Sequence, residues 1–278
     1  MPIARTGRAA HFLRQIADPA RAAIDARDVA VVVAHPDDET IGCGALLARL
    51  NDARVIVVTD GAPKNLQDAR WHGFASAEEY AEARSDEFLA ALQIAGITDG
   101  RIVQLGNPDQ EAAHRLPQLV SRLGELFRRL GIRIALTHAY EGGHPDHDAT
   151  AYGVHRAARQ CPHPVGIVEI PLYRAEGDRA VQQSFAPVAG HEATVVTLTS
   201  AERALKQQMI AAHATQQHVL AGFSLEREQF RMAPDYDFSL LPNGGCVLYD
   251  REEWGIDSGR WLQCVQAALA EERSAACA

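Results

Sequence analysis

Residues 28–52 read DVAVVVAHPDDETIGCGALLARLND. The apolar run Val29–Ala34 is short, rich in valine and without polar alternation, which marks a strand buried on both faces. It stops at His35-Pro36-Asp37-Asp38, and a helical pattern follows over 39–52. Outward from there the chain repeats the same alternation. Strands are expected at 53–61, 101–109, 132–143 and 164–173, and helices at 76–96, 115–131 and 146–160. Ser76 with Glu79 has capping-box spacing, and Gly96 closes that helix. Short strands alternating with longer helices predict an α/β fold with a mostly parallel sheet and crossover helices.

Beyond residue 173 the pattern weakens. A strand is expected at 191–199, a helix at 200–217, a short strand over CVLYD (246–250) and a closing helix. The first 28 residues form an amphipathic, Arg/Ala-rich helix with no signal-peptide core. The expected organisation is a single domain over 1–278, with a core at 28–220 and a C-terminal extension of short strands and helices at 221–278.

The chain has 278 residues, 47% hydrophobic and 23% charged, with a formal net charge of -9. That suffices for a sizeable core and argues against nucleic acid or an anionic membrane surface as the main partner. No apolar run reaches the roughly 18 residues of a membrane span. The five cysteines are widely spaced with no Cys-x-x-Cys, so neither a disulfide framework nor a thiolate zinc site is expected. These features predict a cytoplasmic protein, with a homo-oligomer left open.

Polar residues follow successive strands in one phase: His35 and Asp38 after the first, Asp60 after the second, Asp109 after the third, His144 and His147 after the fourth. In an open parallel sheet the carboxyl ends of the strands form the ligand-binding edge. HPDD (35–38) and HPDH (144–147) therefore converge, each offering two metal-compatible side chains three residues apart. Asp37 and Asp38 could alternatively cap the following helix. The joint occurrence at equivalent strand ends favours a metal site, with Asp37 and Asp146 as surplus carboxylates for proton chemistry.

The segments VVVAHPDDETIGCGALLARL (31–50), VVTDG (57–61), RSDEFLAAL (84–92), LGNPD (105–109) and HAYEGGHPDHDAT (138–150) resemble the PIG-L/LmbE-like de-N-acetylase family. The resemblance implies a Rossmann-like sheet and a hydrolase that removes acetyl from N-acetylglucosamine-type groups with one divalent metal, zinc or alternatively iron(II). It implies His35, Asp38 and His147 as metal ligands, Asp37 as general base, and His144 as aid to oxyanion and leaving group. Asp146 would keep the His144 imidazole charged by pairing with it, or else cap its own helix. Some relatives carry a tyrosine where this chain has Gly142; the nearest here is Tyr140.

Arg84 lies in an element that relatives use for substrate hydroxyls; its alternative is an ion pair with Glu87. Asp109 and Asp60 are expected to contact substrate or to form turns. The irregular stretch 61–76, with Trp71 and His72, could be a lid, and His213 reads as a core histidine. The expected substrate is a small N-acetylated amino sugar. Rival readings are a deacylase for longer N-acyl or non-sugar amides, and a Rossmann-like nucleotide-binding module without hydrolysis. The latter lacks Gly-x-Gly-x-x-Gly after the first strand.

Overall fold

A computed structural model describes residues 2–276, with side chains from 7 to 274; Cys277 lies outside the described residues. Five strands, β1 (Val29–Val33), β2 (Arg54–Pro63), β3 (Ile102–Asp109), β4 (Ile134–His138) and β5 (Gly166–Ile170), pair in parallel in the order β3-β2-β1-β4-β5. A hairpin, β6 (Tyr173–Glu176) and β7 (Arg179–Gln182), follows. Then β8 (Thr194–Thr197) and β9 (Arg227–Met232) extend the main sheet antiparallel beyond β5. The strand order reverses between β1 and β4. In doubly wound sheets a crevice opens at that point, outside the carboxyl ends of the two strands.

Both faces of β1 are covered, which explains its unbroken apolar run. Val29, Val31 and Val33 join one core with α1 (Pro2–Ala17), α2 (Asp38–Leu47) and α4 (Ala77–Ile94). Ala30 and Val32 join the other with α5 (Leu116–Arg129), α6 (Pro145–Gln160) and α9 (Ser258–Ala276). The inner face of α5 is Leu116, Leu119, Val120, Leu123, Leu126 and Phe127, a three-and-four spacing that lays one stripe on the sheet. No helix among the described residues is long and apolar enough to cross a membrane.

Two expectations for the C-terminal part are corrected. Residue 220 is no structural boundary, because β9 lies inside the sheet between β8 and β5. The charged look of Arg227–Met232 conceals a strand: Glu228 accepts from the Ala45 and Leu46 N–H groups and pairs with Lys206 from α7 (Ser200–Ala212), while Arg231 pairs with Glu169. CVLYD forms a 3-10 turn over Leu248–Asp250, not a strand. Its Leu248 N–H donates to the Gly142 carbonyl at 2.8 Å, and Val247 packs against Gly142. This contact fastens the extension onto the loop that carries HPDH.

Candidate metal centre

His35 and Asp38 follow β1, and His147 lies in the first turn of α6 after β4, so the switch point brings together side chains more than a hundred residues apart. His35 Nδ1 stands 3.2 Å from Asp38 Oδ2 and 3.2 Å from His147 Nε2, and His147 Nε2 stands 3.3 Å from Asp38 Oδ1. Ligand atoms bonded to one tetrahedral zinc at about 2.0–2.1 Å are separated by roughly 3.3 Å. The three side chains are buried, and each carries a donor atom near that spacing from the others, Asp38 through both of its oxygens.

The electrostatics ask for a cation. The imidazoles of His147, His138 and His35 outweigh burial and hold Asp38 well below the usual carboxylate range. Burial lowers His147 to about 4, leaving it neutral and free to ligate. Burial also disfavours charge on His35, yet Asp109 and Asp38 together raise it well above its ordinary value. A divalent ion held there would supply the positive charge that those carboxylates favour. The donor set therefore fits a borderline metal such as zinc.

A second group, His35, Asp109, His144 and Asp146, also has metal-compatible donors. Two of its members are engaged by backbone, while His35 Nε2 and Asp109 Oδ1 have no hydrogen-bond partner among the described residues. The Asp146 carboxylate accepts from the Gln110 N–H at 2.6 Å and the Ala112 N–H at 3.1 Å, and His144 Nδ1 accepts from the Asp146 N–H at 3.2 Å. The triad is the better cradle on spacing, with its donor atoms 3.2–3.3 Å apart.

The Asp146 bonds also correct its expected pairing with His144. Asp146 ties down the loop after β3 and approaches His35 Nε2 at 3.5 Å instead. Because His144 Nδ1 accepts a backbone proton, its neutral form carries hydrogen on Nε2. Burial and then the charge on His35 hold His144 well below its ordinary value. A bound cation would push it the same way, against the charged imidazole expected from sequence.

Asp37 has φ 149 and ψ -24, a region that residues with a β-carbon rarely enter. Such strain costs on the order of 1–3 kcal/mol and concentrates at functional sites. The Asp37 N–H donates to Glu39 at 3.2 Å, and its Oδ2 accepts from Arg84 at 3.0 Å. Burial raises the Asp37 carboxyl to about 7 against the pull of Arg84. Arg84 also donates to the Gly61 carbonyl at 2.8 Å and the Pro36 carbonyl at 3.0 Å. Its terminal nitrogens thus bond to protein, while its Nε has no hydrogen-bond partner among the described residues. The Glu87 alternative fails, since Glu87 accepts from the Thr215 N–H and hydroxyl.

Asp109 Oδ1 lies 3.2 Å from His35 Nε2, where it can orient the imidazole as carboxylates do behind metal-bound histidines. Asp60 accepts from the Ala62 and Asp109 N–H groups and so builds the turn and joins two loops. His213 is fully buried, with Nε2 3.3 Å from the Thr40 hydroxyl. Trp71 is 62% exposed and meets His218 at 4.1 Å between ring centroids. Tyr140, the nearest tyrosine to Gly142 in sequence, donates to the Leu240 carbonyl and receives the Trp261 N–H.

Three neighbours escaped sequence reasoning. His138 stacks on His147 with centroids 4.2 Å apart and planes 4° from parallel, and its Nε2 accepts from the Ala34 N–H. Tyr173 and Trp254 reach the histidines from outside the motifs. None has a spacing that marks it; only position at a strand's carboxyl end could have flagged His138 and Tyr173.

A β-carbon on Gly143 would fall 2.2 Å from the Tyr173 carbonyl oxygen. Gly143→Ala is expected to cost about 1–3 kcal/mol and to weaken metal binding by shifting HPDH. Chemical unfolding and metal titration measure both, and an unchanged variant would show that the two segments are not in close register.

The family model described as PIG-L, GlcNAc-PI de-N-acetylase, matches residues 30–158. That match spans β1 to α6 and holds both histidine motifs. Over residues 30–158 the chain is similar to the PIG-L family. A 1D-myo-inositol 2-acetamido-2-deoxy-alpha-D-glucopyranoside deacetylase of Catenulispora acidiphila is 28% identical over 144 residues, covering 44% of this chain and 47% of that protein. The chain spans about half the length of the curated relatives it matches. Among solved structures, a teicoplanin deacetylase superposes with TM-score 0.57 at 16% identity, covering 75% of this chain and 99% of the other. The N,N'-diacetylchitobiose deacetylase of Pyrococcus horikoshii gives 0.55 at 19%, covering 80% and 90%. At such identities the structures show a shared fold. Tyr173 and Trp254 lie beyond the PIG-L match.

Proposed function

We propose that this protein is a cytoplasmic, metal-dependent amide hydrolase that removes the N-acetyl group from a small molecule containing an amino sugar. One observation carries the reading: three ligand atoms at tetrahedral spacing stand beside a strained, buried carboxylate that is not one of them. His35, Asp38 and His147 would hold a divalent cation, zinc or alternatively iron(II). Bound there, the cation supplies Lewis acidity and makes water acidic enough to attack an amide near neutral pH.

The protein's own groups do the rest. Asp37, near neutrality and one residue from Asp38, accepts the proton of the attacking water and returns it to the departing amine. Arg84 holds that carboxylate in place. His144 donates its Nε2 hydrogen to the carbonyl oxygen as negative charge develops. Asp109 orients His35, and Asp146 holds the intervening loop. The amino-sugar substrate is supported by the two curated relatives, whose names specify an acetamido sugar.

The test is acetate release by metal-stripped and zinc-reconstituted protein across N-acetylglucosamine conjugates, simple N-acetyl amines and long-chain N-acyl amines. Zinc-dependent release, fastest from the sugars, is expected. Faster cleavage of long acyl chains would replace this reading with a general deacylase.

A further inference from the structure

The polar groups that sequence places at the rim are spent elsewhere: Arg84 on Asp37 and two carbonyls, Asp60 on a turn, Asp109 beside His35. They leave few free polar atoms, so other side chains add to recognition of the substrate's body. Two aromatic rings stand over the two imidazoles of HPDH. The Trp254 ring lies 4.6 Å from that of His144 at 50°, and the Tyr173 ring lies 5.0 Å from that of His147 at 53°. The two aromatic centroids are 6.3 Å apart.

Both are only partly buried, so each keeps surface for a ligand. The Tyr173 hydroxyl has no hydrogen-bond partner among the described residues. Trp254 is held from two sides: Leu248 is bonded to Gly142, the Ser258 N–H donates to Asp250 at 2.6 Å, and Ile256 is buried.

We propose that Trp254 and Tyr173 form an aromatic subsite that takes the pyranose ring of the substrate, resting on the hydrolase reading above. A sugar ring offers a face of C–H groups, which suits an aromatic face, and a rim of hydroxyls, which suits a free phenol. Glu252 and Glu253 are exposed beside Trp254 and disfavour an anionic sugar. The ligand class is therefore a neutral or cationic amino sugar, and the specificity-determining residues lie partly in the C-terminal extension.

The test uses the full-length zinc-loaded protein and glucosamine, which is not turned over. Calorimetric titration of wild type, Trp254→Ala, Trp254→Phe and Tyr173→Phe is paired with kcat and KM on N-acetylglucosamine conjugates and N-acetylbutylamine. Trp254→Ala is expected to weaken glucosamine binding and raise KM for the sugars by about tenfold. Its KM for N-acetylbutylamine should rise far less than for the sugars, and Trp254→Phe should recover most of the loss. Tyr173→Phe should give a smaller loss of the same kind.

Wild-type affinity in a folded Trp254→Ala, or a wild type that binds glucosamine no better than butylamine, would overturn the subsite. Should glucosamine binding depend on Trp254 while no acetate is released, the subsite stands and the hydrolase reading fails. Acetate release with the sugar preference intact in all three variants reverses that outcome.

Discussion

Asp37→Asn is expected to keep the metal content of the wild type and to lower kcat/KM by roughly 10²–10⁴-fold, the usual contribution of a positioned proton acceptor. Asparagine keeps the shape and can still receive the Arg84 hydrogen bond through its carbonyl, so the strained turn survives. It cannot take a proton. His147→Ala should behave in the opposite way, because it removes one of three atoms spaced for a tetrahedral ion. Metal analysis with steady-state kinetics on both variants separates the roles. A metal-free Asp37→Asn with a metal-loaded His147→Ala would invert the assignment.

Arg84→Gln should shift both stability and the pH profile. Removing one partner of a buried ion pair costs about 3–5 kcal/mol. The side chains here are 5% and 9% exposed, so solvent screening is small. The loss depends on pH in a defined direction. Arg84 interacts strongly with Asp37 only when the carboxyl is ionised, and burial has raised that carboxyl from 3.8 to about 7. A raised folded value means the metal-free wild type loses stability as pH climbs from about 4 to about 7.

Without Arg84 that loss deepens and extends to higher pH. Unfolding of the metal-free proteins should therefore show the larger difference at pH 8 and the smaller at pH 5. In the loaded enzyme a cation pulls Asp37 down in the same sense as Arg84, placing the acidic limb of kcat/KM at or below pH 7. Arg84→Gln should displace that limb upward. Equal destabilisation at both pH values, with an unmoved limb, would remove Arg84 as the partner that tunes Asp37.

The protein's sequence by itself determined the parallel α/β core, since its cause is local. Val29–Val33 carries no alternation because both faces are covered, and the stripe on α5 repeats within single helical turns. The convergence of HPDD and HPDH was legible for the same reason: in a parallel sheet, residues that follow strands share one edge.

Only the tertiary structure decided what each polar side chain is spent on. Asp146 finds its partners at Gln110 and Ala112, Arg84 at Asp37, Pro36 and Gly61, and the charges of β9 at Lys206 and Glu169. Most of those partners lie far along the chain, and many are backbone groups that every residue possesses. No side-chain pattern can advertise a backbone N–H or carbonyl, whose direction is set only when strands and loops have packed. The same holds for Trp254, whose place over His144 is fixed in part by a backbone bond between Leu248 and Gly142.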